Sequence, residues 1–236
     1  MSSVRIPESG AARLSFFITL IEMTDANRRE LETIPKVHAM IHHGLSLAEY
    51  KAFLHDLYHV VWHFCPIMAA AAARCSDRYR DVRYDLYRRI QEEKEHEAWV
   101  LEDIEAIGGD VQAVKGGLPS APVQAMIAYN YYGAEHIHPC SVLGMLYTLE
   151  VVSSVYGGRV SDAIAGALGR DVAAGGFKFL SSHAAMDLDH MQQLNRLVKT
   201  ISDTDAQQAI INSTRVNFYQ FGRMFGEGGF ESLQQG

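Results

Sequence analysis

Apolar residues recur along this chain with the three-and-four spacing of helices, and almost nowhere with the alternation of strands. Residues 11–32 carry Leu14, Phe17, Leu20, Ile21 and Met23 on one broad apolar side. Pro35 interrupts, and 36–43 reads as a short helix ended by Gly44. Ser46 and Glu49 then form the S-x-x-E signature of a capping box, in which each residue satisfies a backbone donor of the other. A helix over 47–74 follows, with Pro66 as the place for a bend. Asp77 can cap another over 78–107, closed by Gly108-Gly109. The stretch 108–122, with Gly116, Gly117, Pro119 and Pro122, reads as a loop. Helical patterns resume at 123–135, at 140–155 up to Gly157-Gly158, at 161–168, at 177–198 and at 205–225. The prediction is an all-α bundle of about seven to nine helices in one domain spanning 1–236, with a frayed Gly/Gln-rich tail from about 227.

The totals narrow the function classes. At 236 residues the chain can bury a sizeable core, and a net charge of −7 argues against nucleic acid or an anionic membrane as partner. Every long apolar run carries charges or histidine, so no membrane-spanning helix is expected, and Met1-Ser-Ser-Val-Arg5 adjoins no apolar signal core. Cys65, Cys75 and Cys140 are odd in number and lack CxxC spacing, which suits a reducing, cytoplasmic setting. There is no GxGxxG, GxxxxGK[ST] or GxSxG.

The candidate chemistry lies in three places. On a helix over 177–198, His183, Asp187 and His190 fall within an arc of about 60°. Two imidazoles and a carboxylate on one stripe suit a transition metal such as iron, although histidines so placed can equally cap, hydrogen-bond or line a groove. Glu93 and His96 form an ExxH pair inside the charge run 91–97. They share a face with Leu86, Ile90, Val100 and Ile104, whereas Glu92 and Glu95 point aside. Glu150 is a lone carboxylate in the apolar run 143–152, where an ionised group needs a metal or a buried partner; Tyr147 is one candidate. A Glu together with Glu-x-x-His pairs on facing helices is a template for di-iron carboxylate bundles. His55, His59 and His63 recur every four residues, and at most one or two of them need bind metal. His38, His42, His43, His136 and His138 are read as structural.

Taken together, ExxH, then a lone Glu, then HxxxDxxH, each on its own helix, resembles the haem-oxygenase-like di-iron oxidase/oxygenase family, whose superfamily also holds thiaminase-II-like and pyrroloquinoline-quinone-synthase-like proteins. The resemblance covers about residues 45–198. It implies a haem-oxygenase-like bundle in which Glu93, His96, Glu150, His183, Asp187 and His190 hold Fe(II), two ions per chain, with O2 as co-substrate. It further implies a small-molecule substrate and a homodimer. Resembling enzymes desaturate, cleave or N-oxygenate amino acids, fatty acids and related compounds. One departure stands out: the family's further Glu, on the helix before ExxH, has no counterpart among residues 55–63, where His59 takes the matching register. Alternatives on the same scaffold are a metal-free pocket enzyme, which a buried cysteine beside a carboxylate would favour in its thiaminase version, and a non-enzymatic binding or regulatory protein. True haem binding would need a proximal histidine on the first helix, and 11–32 has none.

Overall fold

The chain enters through α1 (Phe16–Thr33) and α2 (Pro35–His43), which Gly44 ends at φ +77°. Only glycine tolerates that turn here, since a Cβ would stand 2.3 Å from the Ala163 carbonyl oxygen. The capping box then starts α3 (Leu47–Arg74): Glu49 N donates to Ser46 Oγ at 3.3 Å, and Ser46 N donates to Glu49 Oε2 at 3.0 Å. After a 3-10 turn come α4 (Arg80–Glu93), α5 (His96–Ala106), α6 (Val111–Gly116) and α7 (Ala121–Tyr132). The chain closes with α8 (Val142–Val152), α9 (Gly158–Ala167), α10 (Lys178–Val198) and α11 (Thr204–Arg223). This computed structural model describes residues 15–226, apart from the side chains of 184, 185, 187 and 188. Among the described residues there is no strand.

The all-α expectation therefore holds, but three boundaries differ. The predicted helix over 78–107 is broken at Lys94 and Glu95, because Glu95 adopts φ +71° and ends the ladder of α4. The predicted loop over 108–122 contains α6, capped by Asp110, whose carboxylate accepts from Gln112 N and Ala113 N at 2.9 and 3.0 Å. Gly157 and Gly158 do not break the chain: a π-helical turn, Ser153–Gly157, carries α8 into α9. The helical run Pro139–Ala167 is, by length and composition, apolar enough to cross a membrane, contrary to the sequence expectation. Its most apolar stretch is 72 % buried inside the bundle, as befits a core helix.

That core helix organises the rest. α8 lies against α10 on one side and α11 on the other, and α3 faces α4, α5 and α7. Gly144 lets α8 and α11 touch, since a Cβ there would fall 2.5 Å from the Ile210 carbonyl oxygen. Polar groups buried in this seam are paired. Asn130 of α7 and Asn217 of α11 exchange amide hydrogen bonds of 2.7 and 3.0 Å, and Thr148 donates to the Gly144 carbonyl at 2.9 Å. The chemistry-bearing residues of α4, α5, α8 and α10 thus face one interior.

Candidate metal centre

Glu93 ends α4 and His96 begins α5, so the two halves of ExxH belong to different helices. The left-handed Glu95 between them costs roughly 1–3 kcal/mol in a non-glycine residue. It turns the chain so that His96 Nδ1 lies 2.8 Å from Glu93 Oε2. α10 supplies the third donor: His183 Nε2 is 3.2 Å from His96 Nδ1 and 3.5 Å from Glu93 Oε2. Donors bound about 2.1 Å from one ion lie roughly 3.0–3.4 Å apart. Glu93, His96 and His183 therefore already stand near the spacing of three ligands on one metal, and their ligating atoms all fall within 4.8 Å of one another.

Neighbouring groups fix these donors. His183 Nδ1 lies 3.1 Å from the Phe179 carbonyl oxygen, which can only accept, so Nδ1 carries a proton and Nε2 is the nitrogen turned to the cluster. The His183 ring stacks on Phe179 with centroids 4.0 Å apart, and His96 stacks on Trp99 at the same separation. Burial alone would raise the pKa of Glu93, but the hydrogen bonds from His183 and His96 outweigh it and hold the carboxyl down at about 2. The carboxylate is thus ionised and ready to bind a cation.

Asp103, in the last turn of α5, ties that helix to α10. It is 1 % exposed and accepts from Lys178 N at 2.7 Å and Phe179 N at 2.8 Å. Phe177, the residue preceding α10, makes no side-chain cap of its own, so Asp103 caps that helix from a distance. Burial raises the pKa of this carboxyl, and the two backbone donors pull it back.

The other predicted ligands fall into three groups. His190 joins the far side of the same carboxylate, with Nδ1 3.4 Å from Glu93 Oε1. The side chain of Asp187 lies outside the described residues. Glu150 is buried in the same interior, and its partner is Arg89, not Tyr147. Arg89 is 3 % exposed in its side chain and also donates to Asp85 Oδ2 at 2.6 Å and to the His190 carbonyl at 3.4 Å.

His59 is not brought to the cluster. It lies on the side of α3 that meets α6, its ring beside His55 and Tyr58 with centroids 5.0 and 5.2 Å away. Burial and the neighbouring His55 push its pKa down to about 4, so it is neutral. α3 lines the cavity beside Glu93 with Phe53, Leu57, Val60, Val61 and Phe64, none of which can bind a metal. His63 bonds to the Tyr131 hydroxyl at 3.1 Å, and His138 accepts from Cys140 N at 3.1 Å, in keeping with structural roles.

Beside the cluster is a cavity of about 120 Å³. Glu93, Glu150, His183 and Tyr156 are the titratable residues in its wall, and the remainder is mainly aliphatic and aromatic, drawn from α1, α2, α3, α8, the π-helical turn, α9, α10 and α11. Sequence reasoning missed Arg89, Asp103 and this lining. Arg89 stands four residues before Glu93, and Asp103 seven after His96, which is helical same-face spacing, but each sits in a polar run that reads as solvated.

Comparison with known proteins agrees with this architecture. A domain of unknown function with a heme oxygenase-like fold from Shewanella denitrificans superposes with a TM-score of 0.81 at 20 % identity, covering 94 % of this chain and 95 % of that one. A TenA homolog from Pseudomonas syringae pv. tomato gives 0.75 at 14 % identity over 95 % and 98 %. The heme oxygenase of Leptospira interrogans gives 0.72 at 16 % identity over 91 % and 100 %. At such identities the likeness establishes the fold. No curated protein matches the sequence. Residues 51–218, a span that contains the ExxH pair, Glu150 and the whole of α10, match one protein family, and the chain accordingly belongs to the iron-containing redox enzymes of the haem-oxygenase-like fold.

Proposed function

We propose that the chain is an O2-dependent, non-haem iron oxidase or oxygenase acting on a small, largely apolar organic molecule. The observation that carries this reading is the convergence of Glu93 Oε2, His96 Nδ1 and His183 Nε2 at metal-ligand spacing in the wall of an apolar cavity. One carboxylate and two imidazoles suit Fe(II) and leave positions open for other ligands. Iron, when bound, would supply the redox chemistry with dioxygen.

The chain's own residues do the rest. Asp103 and the rings of Trp99 and Phe179 hold the two imidazoles in place. The walls from α3, with Leu57, Val60, Val61 and Phe64, exclude water and orient an apolar group toward the donors. Nothing in the wall but Glu93, Glu150 and His183 can make an ionic contact with substrate, so selection there rests on shape and apolarity.

The thiaminase-like alternative finds less support. Cys65, the cysteine nearest the site's carboxylates, has its pKa pushed up to about 11 by burial, with Glu93 and Glu97 adding to the rise. A thiol raised in this way is protonated at neutral pH and a weaker nucleophile than a free cysteine. Haem is disfavoured by α1, which has no histidine between Phe16 and Thr33.

The test is anaerobic Fe(II) titration of metal-free protein, followed by O2 exposure under stopped-flow absorbance and by an oxygen-electrode screen of medium-sized apolar amines, acids and amino acids. Tight Fe(II) uptake that His183→Ala abolishes, with O2 consumption stimulated by an apolar substrate, is the expected result. Absence of Fe(II) uptake in a folded protein would refute the reading.

A further inference from the structure

Glu93 faces two ways. Its Oε2 points to His96 and His183, and its Oε1 to His190 Nδ1 at 3.4 Å. A centre of this shape has two sides, and a second cation would belong on the His190 side, where Glu92 Oε2 lies 3.7 Å from His190 Nε2 and α8 brings Glu150. A fixed positive charge stands beside that ground. The Arg89 guanidinium is ion-paired with Glu150, bonds to Asp85 Oδ2 at 2.6 Å and reaches the His190 carbonyl at 3.4 Å. Arg89 and Glu150 are sealed from water, with side-chain exposures of 3 % and 5 %. A di-iron bundle surrounds its ions with carboxylates from four helices. Here α3 brings Phe53, Leu57, Val60, Val61 and Phe64 to the cavity beside Glu93, and none of them is a carboxylate. Among the described side chains, Glu93, His96 and His183 gather around one ion, and no second such group is present.

We propose that Arg89 takes the place of a second metal ion, so that the centre binds one metal per chain. The inference rests on the metal reading above and corrects the count of two that the motifs imply. Two facts agree with it. A guanidinium stays charged at any physiological pH, and a carboxylate already engaged by one in a dry interior is a poor ligand for an incoming cation. The arrangement is also built into the helix: Arg89 and Glu93 are one turn apart on α4, so the fixed charge and the metal-binding carboxylate keep a constant separation. Glu150 then acts as counter-ion to Arg89, not as a ligand.

The experiment is titration of the full-length, metal-free protein with Co(II), read by the visible ligand-field bands of the bound ion and by elemental analysis after gel filtration. The wild type should saturate at one Co(II) per chain. Glu150→Gln, which keeps an acceptor oxygen for Arg89, should also bind one, with an unchanged spectrum and affinity within about threefold. Arg89→Lys should stay at one. Arg89→Met removes the guanidinium from Glu150 and should admit a second, weaker equivalent.

Two equivalents of comparable affinity in the wild type would overturn the proposal while leaving the metal reading intact. A Glu150→Gln protein that loses its single ion would overturn it as well, by showing Glu150 to be a ligand. A folded Arg89→Met protein that still stops at one would remove Arg89 as the cause. Should Arg89→Met not fold, the wild-type count and the Glu150→Gln result decide the matter. No Co(II) uptake at all would overturn both this inference and the function proposed above.

Discussion

Asp103 gives the sharpest stability test, because its work is done at a distance from its own helix. Asp103→Ala removes the acceptor for Lys178 N and Phe179 N, two bonds of 2.7 and 2.8 Å made to a carboxylate that is 1 % exposed. Phe177 and Phe179 are 0 % and 8 % exposed, so water has little access to the donors left behind. Hydrogen bonds to charged groups contribute about 1.5–3 kcal/mol each, so losing two costs about 3–6 kcal/mol. For a chain of this size 1 kcal/mol corresponds to roughly 2–4 °C, which places the fall in Tm at about 6 °C or more. Asp103→Asn keeps one oxygen acceptor but sets an amide donor against the second N–H, and should fall between Ala and wild type. The assay is urea unfolding followed by circular dichroism, with Fe(II) affinity measured in parallel. Because Asp103 belongs to the helix of His96 and caps the helix of His183, affinity should weaken by about tenfold or more, as for other groups that orient ligands. A variant within 1 kcal/mol of wild type, with unchanged metal affinity, would refute the claim that this remote cap sets the geometry of the centre.

Other predictions follow from packing and charge. Gly144→Ala would place a methyl 2.5 Å from the Ile210 carbonyl oxygen and 2.7 Å from Thr214 N, both backbone atoms, and should lower stability by about 2 kcal/mol or more in thermal unfolding. Val61→Phe should fill much of the 120 Å³ cavity and abolish the Tm increase that benzene gives the wild type, a cavity of roughly 150 Å³ being enough to hold that probe. Tyr79→Phe concerns acid stability: the Tyr79 hydroxyl bonds to Asp203, and this bond, ahead of burial, sets the downward shift of that carboxyl from its ordinary value of 3.8. A carboxyl depressed in the folded state stabilises fully above its unfolded value and loses the contribution as pH falls, so the Tm gap between wild type and Tyr79→Phe should be constant above that value and narrow below it.

The sequence carried the long elements well where a local signal marked each end. The capping box at Ser46 and Glu49 placed the start of α3, and the unbroken apolar stripe of 177–198 placed α10 within a residue of its observed start. Among the candidate ligands, Glu93, His96 and His183 were legible because ExxH and the two-turn spacing of His183 and His190 are local patterns. What was hidden was set by contacts distant in sequence. The left-handed turn at Glu95 falls on a residue with no propensity for it and is held by packing on both sides. Arg89 reads as solvated because its carboxylate partner lies 61 positions away on α8. His59 illustrates the limit of periodicity: the pattern places three histidines on one face of α3, but which face lines the cavity depends on the whole bundle, and the residues that do are Phe53, Leu57, Val60, Val61 and Phe64.

The break at Lys94 and Glu95 has a mechanical consequence. An uninterrupted helix would carry Glu93 and His96 as neighbours on one rigid rod, and an ion between them would add nothing to its stiffness. Here the backbone ladder stops after α4 and restarts at α5, with no side chain capping the new helix. An ion held by Glu93 and His96 would splint two rods end to end. Amide protons at the start of α5 should therefore exchange with solvent by local opening in the metal-free protein and slow sharply once the ion is in place. Assembly of the centre would then be felt along the backbone as the mending of a fractured helix.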